Sequence, residues 1–307
     1  MRTLALFLVL VGCDPDSSRD APDAALGELT DAAIDDVAID DAAIDDAAPD
    51  APACVEYQSI HLHASMQRTD TVAERQQAID KAFVNGDGTT PDTITWTEIE
   101  TQAQIDRIHN RAGWATYWPH QPANPDVHPA NAVPISWRTN VYQFVDGSSL
   151  KASDGLAGVS PHRYVTRVRL RHIASGAQVM RVGHHAVSGV DNPQDNIDYR
   201  LAAHAQDIAA FNERMLGAAH PVIGGGDFNT TRLRALLAEE NDGTQPFRFD
   251  VPATGGSHGA RLIDYVVRRK SDGDVYVLGD TRFVDLAPSD HRGVRATYTY
   301  RPAPCTP

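Results

Sequence analysis

The chain has 307 residues, 42% hydrophobic and 22% charged, near the globular average, so collagen-like, wholly disordered and multi-span membrane classes are poor fits. The net charge of −14 is unevenly spread: residues 14–53 hold 13 acids against Arg19, Arg2 precedes them, and residues 54–307 are left with −3. A nearly neutral folded part argues against a protein that coats nucleic acid through clustered Lys and Arg.

Met1-Arg2-Thr3 leads into an apolar run over residues 4–11 and then Gly12-Cys13. The run is far shorter than the roughly 18 residues that span a bilayer, and it reads as a targeting segment. Leu10-Val11-Gly12-Cys13 resembles a bacterial lipobox, which implies a signal peptide over 1–12 and lipidation of Cys13; an ordinary cleaved secretory signal is the alternative. The implied location is outside the cytoplasm, on a bacterial membrane, with each buried methylene contributing about 0.8 kcal/mol. Residues 31–50 repeat by five (Asp-Ala-Ala-Ile-Asp and variants). That period fits neither helix nor strand and its charges repel, so 13–53 is expected to be a lipidated cysteine plus a disordered acidic tether. Residues 54–307 form the one folded domain. With Cys13 lipidated, Cys54 and Cys305 remain, one near each end of that domain, and an oxidising compartment lets them pair.

Within the domain, strand-like runs alternate with helical patterns, giving an α/β (α+β layered) class. Strands are predicted at 55–63 and 93–97 around a helix at 72–84, whose Val72, Ile79, Ala82 and Phe83 share a face. A second helix is predicted over 100–112. Residues 133–144 and 164–182 carry three strand patterns, with turns at Asp146-Gly147 and Ser175-Gly176. Residues 198–216 give the clearest helix, with a buried stripe of Leu201, Ala205, Ile208, Phe211 and Met215. Short strands follow at 221–224, 262–268, 275–278 and 294–300, with a loop at 253–259.

Acid, amide and histidine residues recur at or just beyond these runs: Glu98, His184-His185, Asp227-Phe228-Asn229, Asp264 and Ser289-Asp290-His291. Oxygen donors with two histidines suit a hard cation such as Mg²⁺, with Mn²⁺ or Ca²⁺ as alternatives, plus an acid/base pair. Alternation along the strand turns His184 away from His185.

The ordered set Trp-Thr-Glu-Ile (96–99), Gly-His-His-Ala-Val-Ser-Gly (183–189), Gly-Gly-Asp-Phe-Asn-Thr (225–230), Leu-Ile-Asp-Tyr-Val (262–266) and Ser-Asp-His (289–291) resembles the endonuclease/exonuclease/phosphatase superfamily over residues 55–302. The resemblance implies a deoxyribonuclease I-like four-layer sandwich of two packed mixed β-sheets flanked by helices. It implies that Glu98 binds metal with help from Asp290, and that His291, oriented by Asp264, deprotonates the attacking water. It makes His185 the second catalytic histidine, and has Asp227 and Asn229 position the nucleophile and a phosphate oxygen. The segment Asn131-Ala-Val-Pro-Ile-Ser-Trp-Arg138 is similar to the family's strand ending in an aromatic-Arg pair, so Asn131 and Arg138 join Asn229 as substrate-binding candidates.

The first strand departs from the family. Where a metal-site Asn is usual, Tyr57-Gln-Ser-Ile-His-Leu-His63 offers His61 or His63, for metal, for phosphate or for the core. The expected function is an exported, membrane-anchored, monomeric metal-dependent phosphodiesterase without a protein partner, acting on DNA. Phospholipid head groups or inositol phosphates are the alternative substrates, and a non-catalytic surface-binding lipoprotein is the alternative of another class. An aromatic fraction of 7% and the lack of an apolar hairpin favour DNA. Arg232 and Arg234 are candidates to line a phosphate groove, and Arg167, Arg169 and Arg171 share one strand face that is either substrate-facing or merely solvated.

Overall fold

β-branched and aromatic runs pair into two sheets in the computed structural model, which describes residues 55–66, 71–84, 89–119, 132–156, 162–192 and 198–301. In chain order the elements are β1 (Tyr57–Ser65), α1 (Val72–Phe83), β2 (Thr93–Thr97), α2 (Gln102–His109), β3 (Trp114–Tyr117), β4 (Ile135–Arg138), β5 (Tyr142–Ser153) and β6 (Arg163–His172). Then come β7 (Gln178–His185), α3 (Asp198–Leu216), β8 (Val222–Asp227), α4 (Leu233–Glu239), β9 (Phe247–Phe249), β10 (Asp264–Arg269), β11 (Tyr276–Val284) and β12 (Gly293–Tyr300). Residues 1–54, where a lipobox and a tether are expected and which include Cys54, lie outside the described residues, as do Asn131 and Cys305.

One six-stranded sheet has the order β11-β12-β1-β2-β4-β3 and the other β5-β6-β7-β8-β10-β9. Among the described residues only β1 with β2 and β7 with β8 run parallel, so both sheets are mixed. Their inner faces meet through Ile135, Val294, Ala296 and Tyr298 on one side and Val168, Leu170, Val179, Ile223 and Val266 on the other. α1 and α2 cover the first sheet with Ile79, Phe83, Ile105 and Ile108 packed near Leu62, Ile94 and Trp96. α3 and α4 cover the second with Ile208, Phe211, Met215 and Leu237 against Val165, Val182 and Val222. This is the expected four-layer sandwich, and among the described residues no helix is long and apolar enough to cross a membrane.

Three local expectations change. Asp146-Gly147 is no turn: it lies inside β5, next to a register shift between Phe144 and Asp146, and the chain reverses instead just after Arg138. On α3, Leu201 is 42% exposed and Ala205 also faces outward, while His204 and Asp207 take the buried positions beside Ile208 and Phe211. Val72 opens α1 at 54% exposure because the N-cap, Thr71, sits at the surface with Glu74 in a capping box. The short elements β3, α4 and β9 were not expected.

The glycines of β8 allow the sheets their close approach. A methyl carbon on Gly225 would lie 2.5 Å from Thr95 Oγ1 and 3.0 Å from His61 Nε2, so only hydrogen fits between β8 and the facing strands. Deeper between the sheets, Arg181 is fully buried and donates to Thr93 Oγ1 at 3.0 Å, Tyr276 Oη at 3.0 Å and Ser59 Oγ at 3.2 Å.

Candidate active site

Strand ends from both sheets converge at one edge. Glu98 follows β2 and His291 precedes β12 in the first sheet; His185 ends β7, Asp227 ends β8 and Asp264 opens β10 in the second. Register places Asp227 between His185 on β7 and Asp264 on β10. Donor atoms of Glu98, His185 and Asp227 lie within 4.8 Å of one another, and so do those of Asp227, Asp264 and His291. His185 Nε2 is 3.9 Å from Glu98 Oε1 and 3.7 Å from Asp227 Oδ2.

Asp264 organises the imidazoles. His291 Nδ1 donates to Asp264 Oδ2 at 2.8 Å and His63 Nε2 donates to Oδ1 at 3.1 Å, all three groups being buried. Because the carboxylate only accepts, the proton of neutral His291 sits on Nδ1 and Nε2 keeps its lone pair. Burial pushes the Asp264 carboxyl up, but His291 and His63 more than reverse this and hold it low. Burial likewise opposes the charge of His291, yet Asp264, with Asp227 and Glu98 beyond it, lifts its pKa to about 10.

The other two carboxylates are crowded. Burial, then Glu100 and Asp264, push Glu98 up to about 7 against the pull of His291. Burial and the Asp264 charge raise Asp227 well above the carboxylate range. Glu98 is held at φ 59, a left-handed conformation uncommon for a side-chain-bearing residue. Its carbonyl accepts from Gln104 Nε2 at 3.4 Å, and Gln104 Oε1 in turn accepts from the backbone N–H of Glu100 and Thr101, so the start of α2 fixes the loop. Asn229, at φ 53, donates from its backbone to Asp227 Oδ1 at 2.9 Å and from Nδ2 to the Ala186 carbonyl at 3.1 Å.

Arg163, which sequence reasoning passed over, enters the site from the start of β6. Its Nη1 donates to His185 Nδ1 at 3.2 Å, leaving the His185 proton on Nε2, toward Glu98 and Asp227. Burial first and the Arg163 charge second hold the His185 pKa far below the usual value. Its signal in the sequence was only an arginine in a strand carrying three others. His184 faces the opposite way, packed near Phe211 and Phe228 with Nδ1 on the Tyr164 carbonyl.

Other candidates fall elsewhere. His61 Nδ1 bonds Thr93 Oγ1 at 2.9 Å in the closed space between the sheets, and His63 spends its second nitrogen on Thr95 Oγ1 at 3.2 Å; neither joins a metal-competent group among the described residues. Both are core histidines, and His63 meets the site only through Asp264. Arg138 pairs with Asp92, before β2, because β4 runs antiparallel to β2 with Trp137 opposite Thr93. That leaves it at the far end of β2 from Glu98, roughly 20 Å along the strand. Asp290 bonds His258 at 3.0 Å and is not grouped with Glu98. Arg167, Arg169 and Arg171 lie on the β6 face that carries Val165, which packs toward α3 and not between the sheets.

No protein-family model matches the chain, and no curated protein matches its sequence. Solved structures do match. An endonuclease/exonuclease/phosphatase family protein from Bacteroides thetaiotaomicron superposes with a TM-score of 0.59 at 13% identity, covering 81% of this chain and 97% of that one. The fold is that of the endonuclease/exonuclease/phosphatase proteins. A mannosyl-6-phosphatase from the same organism gives 0.57 at 15% identity over 78% of this chain and 98% of its own. D. rerio TDP2 complexed with a single-strand DNA product gives 0.59 at 13% over 78% and 98%.

Proposed function

We propose that the chain is a metal-dependent phosphoester hydrolase that cleaves DNA phosphodiester bonds as an endonuclease. The observation that carries this reading is an imidazole, His291, held by the buried ionised carboxylate of Asp264 beside the buried Asp227, which is grouped in turn with His185 and the partly buried Glu98. That cluster fits a divalent cation: Glu98 Oε2 is buried with no hydrogen-bond partner, and burial together with neighbouring carboxylates raises the pKa values of both Glu98 and Asp227, an unfavourable environment for their charged forms that a bound cation would relieve. Glu98 and Asp227 would hold the ion, and their oxygens suit Mg²⁺, Mn²⁺ or Ca²⁺, of which we propose Mg²⁺. When bound, it would polarise the phosphoryl oxygen and offset the charges that keep His291 protonated.

His291 Nε2 accepts the proton of the attacking water, and Asp264 stabilises the imidazolium that results. His185 presents Nε2–H to the charge that develops on the phosphoryl or leaving oxygen, its orientation fixed by Arg163. Asp227, pinned by the Asn229 backbone, positions the water.

A polyanionic substrate is supported by a groove of about 1120 Å³ whose lining includes Thr231, two residues past Asn229 in sequence, and in which Arg232, Arg234, Arg248, Arg268 and Lys270 outnumber Asp250 and Asp274. The structural neighbour holding a DNA product points the same way. The test is nicking of supercoiled plasmid by the full chain in Mg²⁺. Cutting should vanish in EDTA and fall about 10²–10⁴-fold in His291→Ala. Release of lipid head groups without nicking would move the substrate, and undiminished cutting by His291→Ala would overturn the mechanism.

We further propose that the protein is exported, lipidated at Cys13, and closed by a Cys54–Cys305 disulfide. The register supports the last point: Tyr57 lies opposite Tyr300, and Glu56 pairs with Arg301 at 2.9 Å, so the chain enters and leaves the domain side by side. Cys13→Ser should move the protein from the membrane to the soluble fraction. Thiol titration of the unfolded, unreduced mature chain should find neither Cys54 nor Cys305 free.

A further inference from the structure

A second cluster of metal-competent groups adjoins the catalytic histidine on its outer side. His258, Asp290 and His291 each offer a donor atom, all within 4.8 Å of one another. His258 Nε2 lies 3.0 Å from Asp290 Oδ2, and the His258 and His291 rings are 4.8 Å apart. Two ligands on neighbouring corners of a metal with bonds of about 2.0–2.1 Å sit roughly 3.0–3.4 Å apart, so the first two donors are already at coordinating distance. The His258 and Asp290 side chains are 35% and 50% exposed, which leaves the cluster open to ions from solvent.

The loop that carries His258 is built to hold it there. His258 forms a backbone bridge with His291, and its N–H and carbonyl exchange hydrogen bonds with Arg261 at 3.0 Å each. The Ser257 carbonyl accepts from Arg292 at 2.7 Å, and Ser257 Oγ accepts from the backbone N–H of Ile263 and Asp264. The same loop therefore fixes His258 against both partners of the catalytic pair.

We propose that His258, Asp290 and His291 form an inhibitory site for a borderline divalent transition ion, Zn²⁺ being the representative. Two imidazole nitrogens and one carboxylate oxygen favour such an ion over Mg²⁺, which takes oxygen ligands. His291 Nδ1 is occupied by Asp264, so its remaining donor is Nε2, the atom that takes the water proton in the reading above. Binding there removes the general base while leaving Glu98 and Asp227 free. His258 releases the Nε2 proton that it shares with Asp290 to solvent and keeps its remaining hydrogen on Nδ1. The inhibitory part rests on the proposed hydrolase activity; the binding part does not.

The experiment dialyses the full chain against Zn²⁺ in excess Mg²⁺ and measures bound zinc by elemental analysis, beside plasmid nicking on the same samples. The wild type should retain one equivalent of zinc that His258→Ala lacks. His258→Ala should keep its Mg²⁺-supported rate but need at least about tenfold more zinc for half inhibition, the lower bound seen when a group supporting a ligand is lost. Equal zinc content and equal inhibition in the two proteins would overturn the proposal. An absence of nicking by wild type in Mg²⁺ would count against the hydrolase reading and the inhibition, while the zinc difference would still decide the site. Circular dichroism checks the fold, and if His258→Ala is unfolded, His258→Gln, which keeps a polar side chain at this partly exposed position, gives the same reading.

Discussion

His172 illustrates how single side chains in this domain are held to one protonation state. It is 7% exposed, stacked on Tyr57 at 3.4 Å between ring centroids, with Nδ1 bonded to Ser175 Oγ at 2.8 Å, and burial pulls its pKa down to about 4. The folded state therefore resists a proton that the unfolded chain accepts near pH 6.5. Stability from this residue is fully present above about 6.5 and is lost as pH falls toward about 4. Urea unfolding across that window should show a declining free energy in wild type and a flatter profile in His172→Asn, whose Oδ1 can replace Nδ1; identical slopes would refute the assignment. At this scale Glu98, His185, Asp227, Asp264 and His291 were picked out by the order of the motifs that resemble the family, each lying in or beside a strand-like run, and the fold brings them to one edge. The partners were less so. That Asp264 would take a second imidazole from His63, or that Arg163 would reach His185, depends on which residues face each other between strands distant in sequence, and nothing local encodes that.

Among the elements, α3 carries more of the site than its apolar residues reveal. Asp207 Oδ2 accepts from the Val187 backbone at 2.9 Å, and His204 Nε2 donates to the Phe228 carbonyl at 2.9 Å. These bonds tie down the loops that follow His185 and Asp227. A stripe read from Leu201 and Ala205 misses them, because hydrophobicity cannot mark a polar residue buried to satisfy backbone groups. The same blindness produced the mistaken turn at Asp146-Gly147: a dipeptide favoured in hairpins also suits an irregular position within a strand. Short pieces such as β3 and β9 hold too few residues for a period to register. β8 was legible as a strand, though its glycines gain their meaning only from the opposite sheet. Gly225→Ala forces a methyl onto Thr95 and His61 and should cost about 1–3 kcal/mol. Thermal melts of this variant beside a surface control such as Ala205→Ser provide the check, and an unchanged melting temperature would mean that the sheets can part without penalty.

For the whole molecule, the layered class could be read from alternating strand and helix patterns and the two mixed sheets only from the family resemblance that the motif order carries, whereas the strand order could not be read from local patterns. The paired residues of β1 and β12 lie 231 to 243 positions apart in the chain and still pair along seven positions, a pairing that no local pattern announces. One consequence of this topology concerns the stability of the sandwich. The side chains proposed to hold the ion are split between the layers, Glu98 from one and Asp227 from the other, so an ion held between them would fasten one sheet to the other at their shared rim. Such an ion acts as a reversible cross-link whose strength follows mass action. Raising Mg²⁺ should raise the melting temperature of wild type steadily with concentration and leave Glu98→Ala nearly unmoved, so that a melting curve alone, without substrate, reports whether the rivet is in place.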